Sequence, residues 1–589
     1  MTNKKPLRWL AMLLSALMLA SMTACAKPAA SSTAPTESKT SSTEEKAYYN
    51  KTGYPICETP IALSVACQYA AGASKSYQVS GKADKSNIDQ LEYYYRKLGL
   101  DITCDLYLSD DWSNQFTMML TSDSIPDMIW DVSQTLATVN KYGEQKYFAN
   151  LNEYQDIMPN LQAFFEKYPE LKAFCDDNGA MYATATINGK DYINCGYRFF
   201  MNRAFLDNLK AEVPTTLDDF YKLLVRFRDE DANGNGDPND EVPFDYSSYV
   251  RLYTDNMLFT AFGIHSSNPD MPLHTDKDGK VTMLDDNYKA YLKFLTQLYD
   301  EGLMDKNAFS LTSDEARAQV KDNRLGAYPA YAPYVTTGST QDTDCEVAVG
   351  MVSLASQYTD NKNQFVLASP IVDNVKFVIS EKSQYKEACA RLLDFLYTEE
   401  GNYSTRYGEL GNQVKGAHDD LLDADLVDLD KDKLPAEFTS VEEWRNSKVV
   451  MNTTLQMCTA LVPNAKYTDK GHARIDAVKK YENDPEKMAE LLKTGWGVLI
   501  AKNIVDTNAE FVDAYPTLLY GSDVADKRAQ YCTDVKNSLL DGKSTTIIGG
   551  LANFDANWDK LVKAVEGAGM NELLKIEQTA YDAYMANMK

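Results

Sequence analysis

An α/β fold built on parallel strands is predicted by three observations. Short apolar, β-branched runs alternate with amphipathic stretches early in the chain. Those stretches carry apolar residues at three- and four-residue spacing, the mark of helices with one buried face. Strand, helix and strand follow one another in that order, which is how strand–helix–strand units feed a parallel sheet.

The elements follow in order. "IALSVACQYA" is small and β-branched, suited to a buried strand. In "SNIDQLEYYYRKLGL", Leu91, Tyr94, Tyr95 and Leu98 mark one helical face. "DITCDLYL" alternates as a second strand. "DDWSNQFTMMLTSD" reads as a helix with Trp112, Phe116, Met119 and Leu120 on one side, and "IPDMIWDV" as a third strand. Thr216 is placed to cap a helix, with Asp219 three residues on. Its buried stripe is Leu217, Phe220, Leu223, Leu224 and Phe227. "NYKAYLKFLTQLYDEGL" is a helix ended by Gly302. "NRLGAYPAYAPY" is a strand and then an aromatic loop, "VKFVIS" a strand, and "YKEACARLLDFLYTEEG" a helix closed by Gly401. From about residue 440 onward helical patterns dominate.

The chain has 589 residues, 44% hydrophobic and 24% charged, an ordinary soluble globular composition. Its formal charge is −26, and no Lys/Arg-rich run supplies the basic footprint of a nucleic-acid binder. The acidity suits a solvated extracellular surface. Lys4, Lys5 and Arg8 precede a short apolar run from Trp9 to about Ala20, the order of a secretory signal. The run ends in "SMTAC", which resembles a bacterial lipobox, with Met22 where Leu is usual. On this reading residues 1–24 are a lipoprotein signal peptide and Cys25 carries the lipid. Residues 25–46, rich in Ser, Thr, Ala, Pro and Glu, have little to bury and form a disordered tether. The chain is thereby held at the membrane without spanning it. The other reading is a plain secreted protein.

Nine further cysteines are scattered with no Cys-x-x-Cys pair, and the four histidines show no ligand spacing. A zinc site, a dense disulfide framework and a His/Cys metalloenzyme are therefore not expected.

Several motifs together resemble the extracellular solute-binding proteins of ATP-driven uptake systems, in the carbohydrate-binding family, and within it the LipO-like lipoproteins of Gram-positive bacteria. "SDSIPDMIW" is similar to the family's turn and strand, though Ser124 and Ile125 depart from it. "MNRAFLDNLKAEVPTTLDDFYKLLVRFRDEDANGNGDPNDEVPF" resembles its central signature. "YKAYLKFLTQLYDEGLMDKNAF", "YKEACARLLDFLYTEEG" and the tail "IIGGLANFDANWDKLVKAVEGAGMNELLKIEQTAYDAY" are further matches. The likeness runs from about residue 54 to the end. It implies a two-lobed periplasmic-binding-protein-like fold of type II, with a hinge, an interlobe cleft and a helix-rich C-terminal part. The N-terminal lobe is expected at 47–178 and 315–376, and the C-terminal lobe at 179–314 and 377–589. It further implies a monomer on the extracellular face of a Gram-positive membrane. That monomer would capture a carbohydrate, with an oligosaccharide as the expected ligand, and deliver it to the permease of an ABC transporter.

"DANGNGDPNDE" matches the first half of an EF-hand loop. Asp231, Asn233, Asn235 and Asp237 stand at positions 1, 3, 5 and 7, and Gly236 at the turn. Position 12 is Val242 rather than Glu; Asp240 and Glu241 precede it. Alginate-oligosaccharide-binding members of the resembled family hold calcium in a similar, shorter loop. Its acidic pair there corresponds to Asp240 and Glu241. A structural Ca2+ on Asp231, Asn233, Asn235, Asp237, Asp240 and Glu241 is the expectation. A surface turn whose Asn, Asp and Gly satisfy their own backbone is the alternative.

Saccharide sites need aromatic platforms and polar side chains. The candidates are Trp112, Trp130, Asp131, Ser133 and Gln134 beyond the early strands, Tyr331 and Tyr334 after a later one, and Trp444 and Trp496 from the second lobe. A secreted carbohydrate-active hydrolase is the rival, and a sensory lipoprotein presenting ligand to a receptor kinase a third reading. A glycosidase needs two carboxylates at a set separation, and no catalytic motif is evident. No Gly-x-Ser-x-Gly nucleophile elbow occurs either.

Overall fold

The computed structural model describes residues 48–587 apart from 70–80, 110, 168–173, 176–178, 188–197, 248–250, 267, 331, 340–342, 368–370, 399, 402–403, 406–408, 410–435, 437–469, 519 and 521. Residues 1–46, expected as signal peptide and tether and including Cys25, lie outside the described residues, as do Tyr331 and Trp444.

The first lobe opens with β1 (Ile61–Tyr69) and β2 (Lys82–Ala83). Helix α1 (Asp89–Leu98) is acidic in its first turn and basic in its last, which suits the helix dipole. Gly99 ends it in the left-handed region at φ 70°, its N–H bonded to the Tyr95 carbonyl. A Cβ on Gly99 would sit 1.9 Å from the Cys57 carbonyl oxygen, so only glycine fits this cap. The chain continues through β3 (Leu100–Leu108), α2 (Trp112–Thr121) and β4 (Met128–Trp130). Helices α3 (Leu136–Glu144) and α4 (Pro159–Lys167) lead to β5 (Thr184–Ile187).

The second lobe begins with β6 (Arg198–Asn202), α5 (Arg203–Leu209) and α6 (Leu217–Asp229). The Thr216 hydroxyl accepts the Asp219 N–H at 3.1 Å, as the cap pattern predicts, and Phe220, Leu223, Leu224 and Phe227 are buried. Next come β7 (Val242–Phe244), α7 (Arg251–Ala261), β8 (His274–Thr275), β9 (Val281–Thr282) and α8 (Asp286–Asp300). They are followed by α9 (Ser313–Lys321), β10 (Leu325–Ala330), α10 (Pro333–Thr337), α11 (Asp344–Val347), β11 (Ala348–Met351) and β12 (Gln364–Leu367). The chain then returns to the first lobe for β13 (Ile371–Ile379) and α12 (Lys386–Leu396). Its last part is helical and belongs to the second lobe: α13 (Lys470–Tyr481), α14 (Pro485–Leu492), α15 (Trp496–Asp506), the short β14 (Glu510–Asp513), α16 (Ser522–Ile548), α17 (Phe554–Gly567) and α18 (Met570–Asn587).

The first sheet has the order β2-β3-β1-β4-β13-β5. Strand β1 is parallel to β3 and β4, whereas β13 is antiparallel to both its neighbours. The second sheet has the order β11-β6-β10-β7, with β7 parallel to β10 and β6 antiparallel to β10 and β11. Successive residues of β6 serve two cores, as strand alternation requires. Phe199 packs with α6 and β7 residues, while Phe200 packs with Tyr328, Ile475 and Leu499. The first sheet has a separate core that includes Ile102, Phe116, Phe377 and Leu393.

One sequence expectation is corrected here. The resemblance places residues 315–376 in the first lobe, yet β10 pairs with β6 and β7 of the second sheet. Of that stretch only the beginning of β13 joins the first sheet, and residues 377–405, expected in the second lobe, complete β13 and place α12 in the first core. The described first lobe is thus 48–187 with 371–405, and the second 198–367 with 470–587. Helical and strand periodicity identifies β10 as a buried strand but says nothing about which sheet receives it.

Candidate functional site

The carboxyl edge of β1 and β4 is where an open α/β sheet binds ligands. Beyond Trp130 the chain runs on beside β13: Val132 N–H donates to Lys376 O, Ser133 N–H to Val375 O at 2.9 Å, and Val375 N–H to Gln134 O at 3.1 Å. Within this run Asp131 and Ser133 both adopt left-handed backbone, φ 51° and 48°. For residues other than glycine that conformation costs energy, so two in three residues mark a turn held in place by its surroundings.

Those surroundings are polar. Asp131 is 1% exposed, and its Oδ1 accepts from Lys376 Nζ at 2.7 Å and from the Ser133 hydroxyl at 3.0 Å. Gln68, near the end of β1, donates its amide to the Asp131 carbonyl at 3.3 Å. Asp131 Oδ2 is buried without a hydrogen-bond partner. A buried carboxylate oxygen left bare is costly unless a donor reaches it.

The aromatic candidates fare differently. Trp112 is 2% exposed, and its indole N–H donates to Val132 O at 2.7 Å. It props the turn from beneath and offers no ring face. Trp130 is 1% exposed and packs edge-on against Phe377. Both were expected as sugar platforms and are core residues instead, because apolar strand and helix faces are buried before they can serve a cleft. Tyr334 is half-buried in α10, beyond the carboxyl end of β10 and hence in the second lobe. Trp496 is half-buried at the start of α15, with the Arg474 guanidinium 5.7 Å from its ring centre. The structure brings Asp131, Ser133 and Gln134 together and leaves Trp496 among residues of another core. Gln68 and Lys376 were missed. Their signal was a polar residue inside an apolar strand run, in "VACQYA" and "NVKFVIS".

The second lobe hides a charged network that the sequence did not announce. Asp255 of α7 is fully buried and accepts from the Tyr246 hydroxyl at 2.7 Å, the Tyr291 hydroxyl and Lys543 Nζ at 2.6 Å. Burial lowers the Lys543 ammonium below its ordinary range, although Asp255 opposes the shift. Arg251 and Lys536 meet at Asp270 nearby, at 2.9 and 2.6 Å. At the carboxyl end of β7, burial pushes the Asp245 carboxyl up to about 6, while the Ser247 N–H donates to it at 2.7 Å.

Five of the six residues expected at the acidic loop are linked through their side chains, whereas the Asp237 carboxylate accepts from the Asn239 N–H and side-chain amide, both at 3.1 Å. Asp231 accepts the N–H groups of Asn235 and Gly236 at 3.0 and 2.8 Å. Asn233 and Asn235 each donate a side-chain amide to Asp240 at 3.0 Å, and Asn235 Oδ1 accepts the Asp237 N–H at 2.7 Å. Glu241 Oε1 accepts the Asn233 N–H at 3.3 Å, while its Oε2 is buried without a partner. Arg324 donates to the Asp240 carbonyl at 2.9 Å. No group of three or more His, Cys, Asp or Glu side chains suited to a metal occurs among the described residues. The fit of a cation rests instead on the hard oxygens of the loop's carboxylates and asparagines, and on the buried Glu241 Oε2 that lacks a partner.

No family model matches the chain. It is 26% identical over 512 residues to the fructooligosaccharide ABC transporter substrate-binding protein FusA of Streptococcus pneumoniae serotype 4 (strain ATCC BAA-334 / TIGR4), covering 84% of this chain and 87% of that one. It is 22% identical over 501 residues to lipoprotein LipO of Bacillus subtilis (strain 168), covering 84% and 88%. Among solved structures, an extracellular solute-binding protein from Bifidobacterium longum subsp. infantis superposes with a TM-score of 0.65 at 20% identity, over 89% of this chain and 98% of that one. An EF-hand mutant of S. pneumoniae FusA, in complex with fructo-nystose, gives 0.62 at 22%, over 90% and 100%. The alginate-binding protein AlgQ2 without calcium ion gives 0.55 at 16%, over 91% and 99%. The fold is thus the two-lobed one of periplasmic-binding-protein-like sugar binders.

Proposed function

We propose that this chain, a homologue of the substrate-binding proteins of ABC transporters, captures an oligosaccharide between its lobes and hands it to a membrane permease. The observation that carries the ligand site is Asp131 Oδ2, a buried acceptor without a partner at the carboxyl edge of the first sheet. A sugar hydroxyl is the donor it lacks. Ser133 and Gln134 flank it on the same turn, and Lys376 keeps its other oxygen occupied. Hinge closure brings the second lobe over the bound sugar and excludes water. Tyr334, after β10, is an aromatic group offered from that side.

The protein works as a monomeric binder that leaves its ligand intact. The lipid on Cys25 holds it at the extracellular face of the membrane, beside the permease. No described helix is long and apolar enough to cross a membrane. A Ca2+ held by Asp231, Asn233, Asn235, Asp237, Asp240 and Glu241 would supply a fixed charge that stiffens the loop after α6.

Calorimetry with a panel of oligosaccharides, fructooligosaccharides first, tests the reading, with the sugar recovered and sized by chromatography. Binding with intact sugar is the expected result. Shortened products would overturn it in favour of a hydrolase, and silence across the panel would remove the saccharide.

A further inference from the structure

Three strand ends at the carboxyl edges of the two sheets are each followed directly by an aspartate. Trp130 of β4 is followed by Asp131, and Phe244 of β7 by Asp245. Met304 bridges Phe244 in parallel, so it extends the second sheet beyond β7, and Asp305 follows it. A parallel register carries successive residues the same way, so the chain leaves the sheet at Asp245 and Asp305 side by side. Strand β7 is also parallel to β10, and the Asp245 N–H donates to Ala327 O at 3.0 Å. This is the edge at which an open parallel sheet receives ligands.

The three carboxylates differ in what surrounds them. Asp131 is paired with Lys376. Asp245 is 5% exposed, and its Oδ1 accepts the Ser247 N–H at 2.7 Å. Asp305 accepts the Asn307 N–H and the side-chain amide of Gln319 of α9, both at 2.7 Å. Neither Asp245 nor Asp305 forms an ion pair among the described residues. Arg251, at the start of α7, is held by Asp270 at 2.9 Å and Asp255 at 3.8 Å, and Lys306 is exposed.

Burial pushes the Asp245 carboxyl up to about 6, and the neighbouring Asp305 acts in the same direction. A cation at hand would pull it down. The Ser247 hydroxyl, on the same turn, is fully buried and has no hydrogen-bond partner. The second edge therefore combines polar groups open to a donor with negative charge that no cation offsets.

We propose that Asp245 and Asp305 are the second lobe's contribution to the ligand site, and that with Asp131 they select an uncharged oligosaccharide over one bearing carboxylates. This rests on the reading of the protein as a saccharide binder with its site between the lobes. A neutral sugar brings hydroxyl donors to charged acceptors, which make the stronger hydrogen bonds. A uronate brings further acceptors and a like charge, and repulsion between carboxylates grows as water is excluded from around them. Discrimination by such repulsion needs no added contact to the favoured ligand.

Calorimetry near neutral pH tests this with a neutral panel of fructo-, malto- and cello-oligosaccharides and an acidic panel of alginate and polygalacturonate oligosaccharides of matched length. The tightest neutral binder is also oxidised at its primary hydroxyls to carboxylates, and its affinity is read by competition against the parent sugar. The oxidised sugar should bind at least roughly tenfold more weakly, and Asp245→Asn and Asp305→Asn should each narrow that ratio by roughly threefold. Each variant keeps an oxygen for the Ser247 or Asn307 N–H, and a ratio of two affinities within one variant is insensitive to a general loss of structure. A ratio unchanged in one variant removes that aspartate from the site. A ratio unchanged in both, or an acidic oligosaccharide bound as tightly as any neutral one, overturns the proposal and leaves saccharide capture standing. Binding by neither panel removes the saccharide, and this proposal with it.

Discussion

Lys376 Nζ and Asp131 Oδ1 stand 2.7 Å apart inside the first lobe, joining β13 to the turn after β4. The pair is nearly dry, with side-chain exposures of 10% and 1%. It occupies one carboxylate oxygen and leaves Oδ2 buried without a hydrogen-bond partner.

Removing either partner should therefore have separable effects. Lys376→Met leaves a buried carboxylate uncompensated and should cost about 3–5 kcal/mol of stability, read by urea unfolding. Asp131→Asn keeps an acceptor for Lys376 and Ser133 but sets an amide where the bare oxygen was. It should fold, and should weaken oligosaccharide binding at least roughly tenfold, the size of a hydrogen bond to a charged acceptor. Undiminished affinity in a folded Asp131→Asn protein would remove Asp131 from the site.

Asp245 makes a pH prediction. Its folded-state value of about 6 lies above the ordinary 3.8, because burial disfavours the anion. Between those values the folded chain holds a proton that the unfolded chain has released. Stability contributed by this group is complete below pH 3.8, declines as pH rises towards 6, and is lost above it. The full swing is about 3 kcal/mol. Asp245→Asn should abolish that slope, so the variant gains on the parent as pH goes from 4.5 to 7. Parallel denaturation curves at the two pH values would contradict the assignment.

The elements were legible because their signals are local. The Thr216 cap, the stripe from Phe220 to Phe227 and the left-handed Gly99 stop are each set within a turn or two of helix. The carboxyl-edge turn was legible for the same reason: Asp131, Ser133 and Gln134 follow a strand directly. What the sequence concealed is long-range. Lys376 is 245 positions from Asp131, and Lys543 is 288 from Asp255. No periodicity couples such positions, and a single charged residue in an apolar run identifies one partner without naming the other. The placement of β10 failed likewise, since sheet membership depends on which faces are left to cover. Trp112 and Trp130 misled because an aromatic ring near a strand end serves a core or a cleft equally well, and only packing decides.

Lys543 and Asp255 give a prediction about the second lobe. Lys543→Met leaves the buried Asp255 carboxylate with the Arg251 guanidinium at 3.8 Å as its remaining countercharge, and with two tyrosine hydroxyls still donating to it. The loss should be about 3–5 kcal/mol. Lys543→Met combined with Asp255→Asn should recover part of it, since no charge then lacks a counterion. A double variant no more stable than the single, in a thermal melt, would show that the tyrosines rather than the ion pair carry the network.

The acidic loop gives the last prediction. Gly234 and Gly236 hold left-handed backbone at φ 74° and 93°, which folds Asp231, Asn233, Asn235 and Asp240 around one centre. Asp231, Asp240 and Glu241 are tied to the same loop by amides and backbone N–H groups, and Glu241 Oε2 is buried without a hydrogen-bond partner. A Ca2+ there satisfies that oxygen and offsets the repulsion among the three carboxylates, so it favours the folded chain. At a calcium concentration about a hundred times its dissociation constant, the added stability is about 2.7 kcal/mol. Purified protein should show one calorimetric site, and a chelator should lower its melting temperature. Glu241→Gln should weaken the site while leaving the calcium-free melt nearly unchanged, because Oε1 still accepts the Asn233 N–H. A chelator that leaves the melting temperature unaltered would reduce the loop to a turn satisfied by its own side chains.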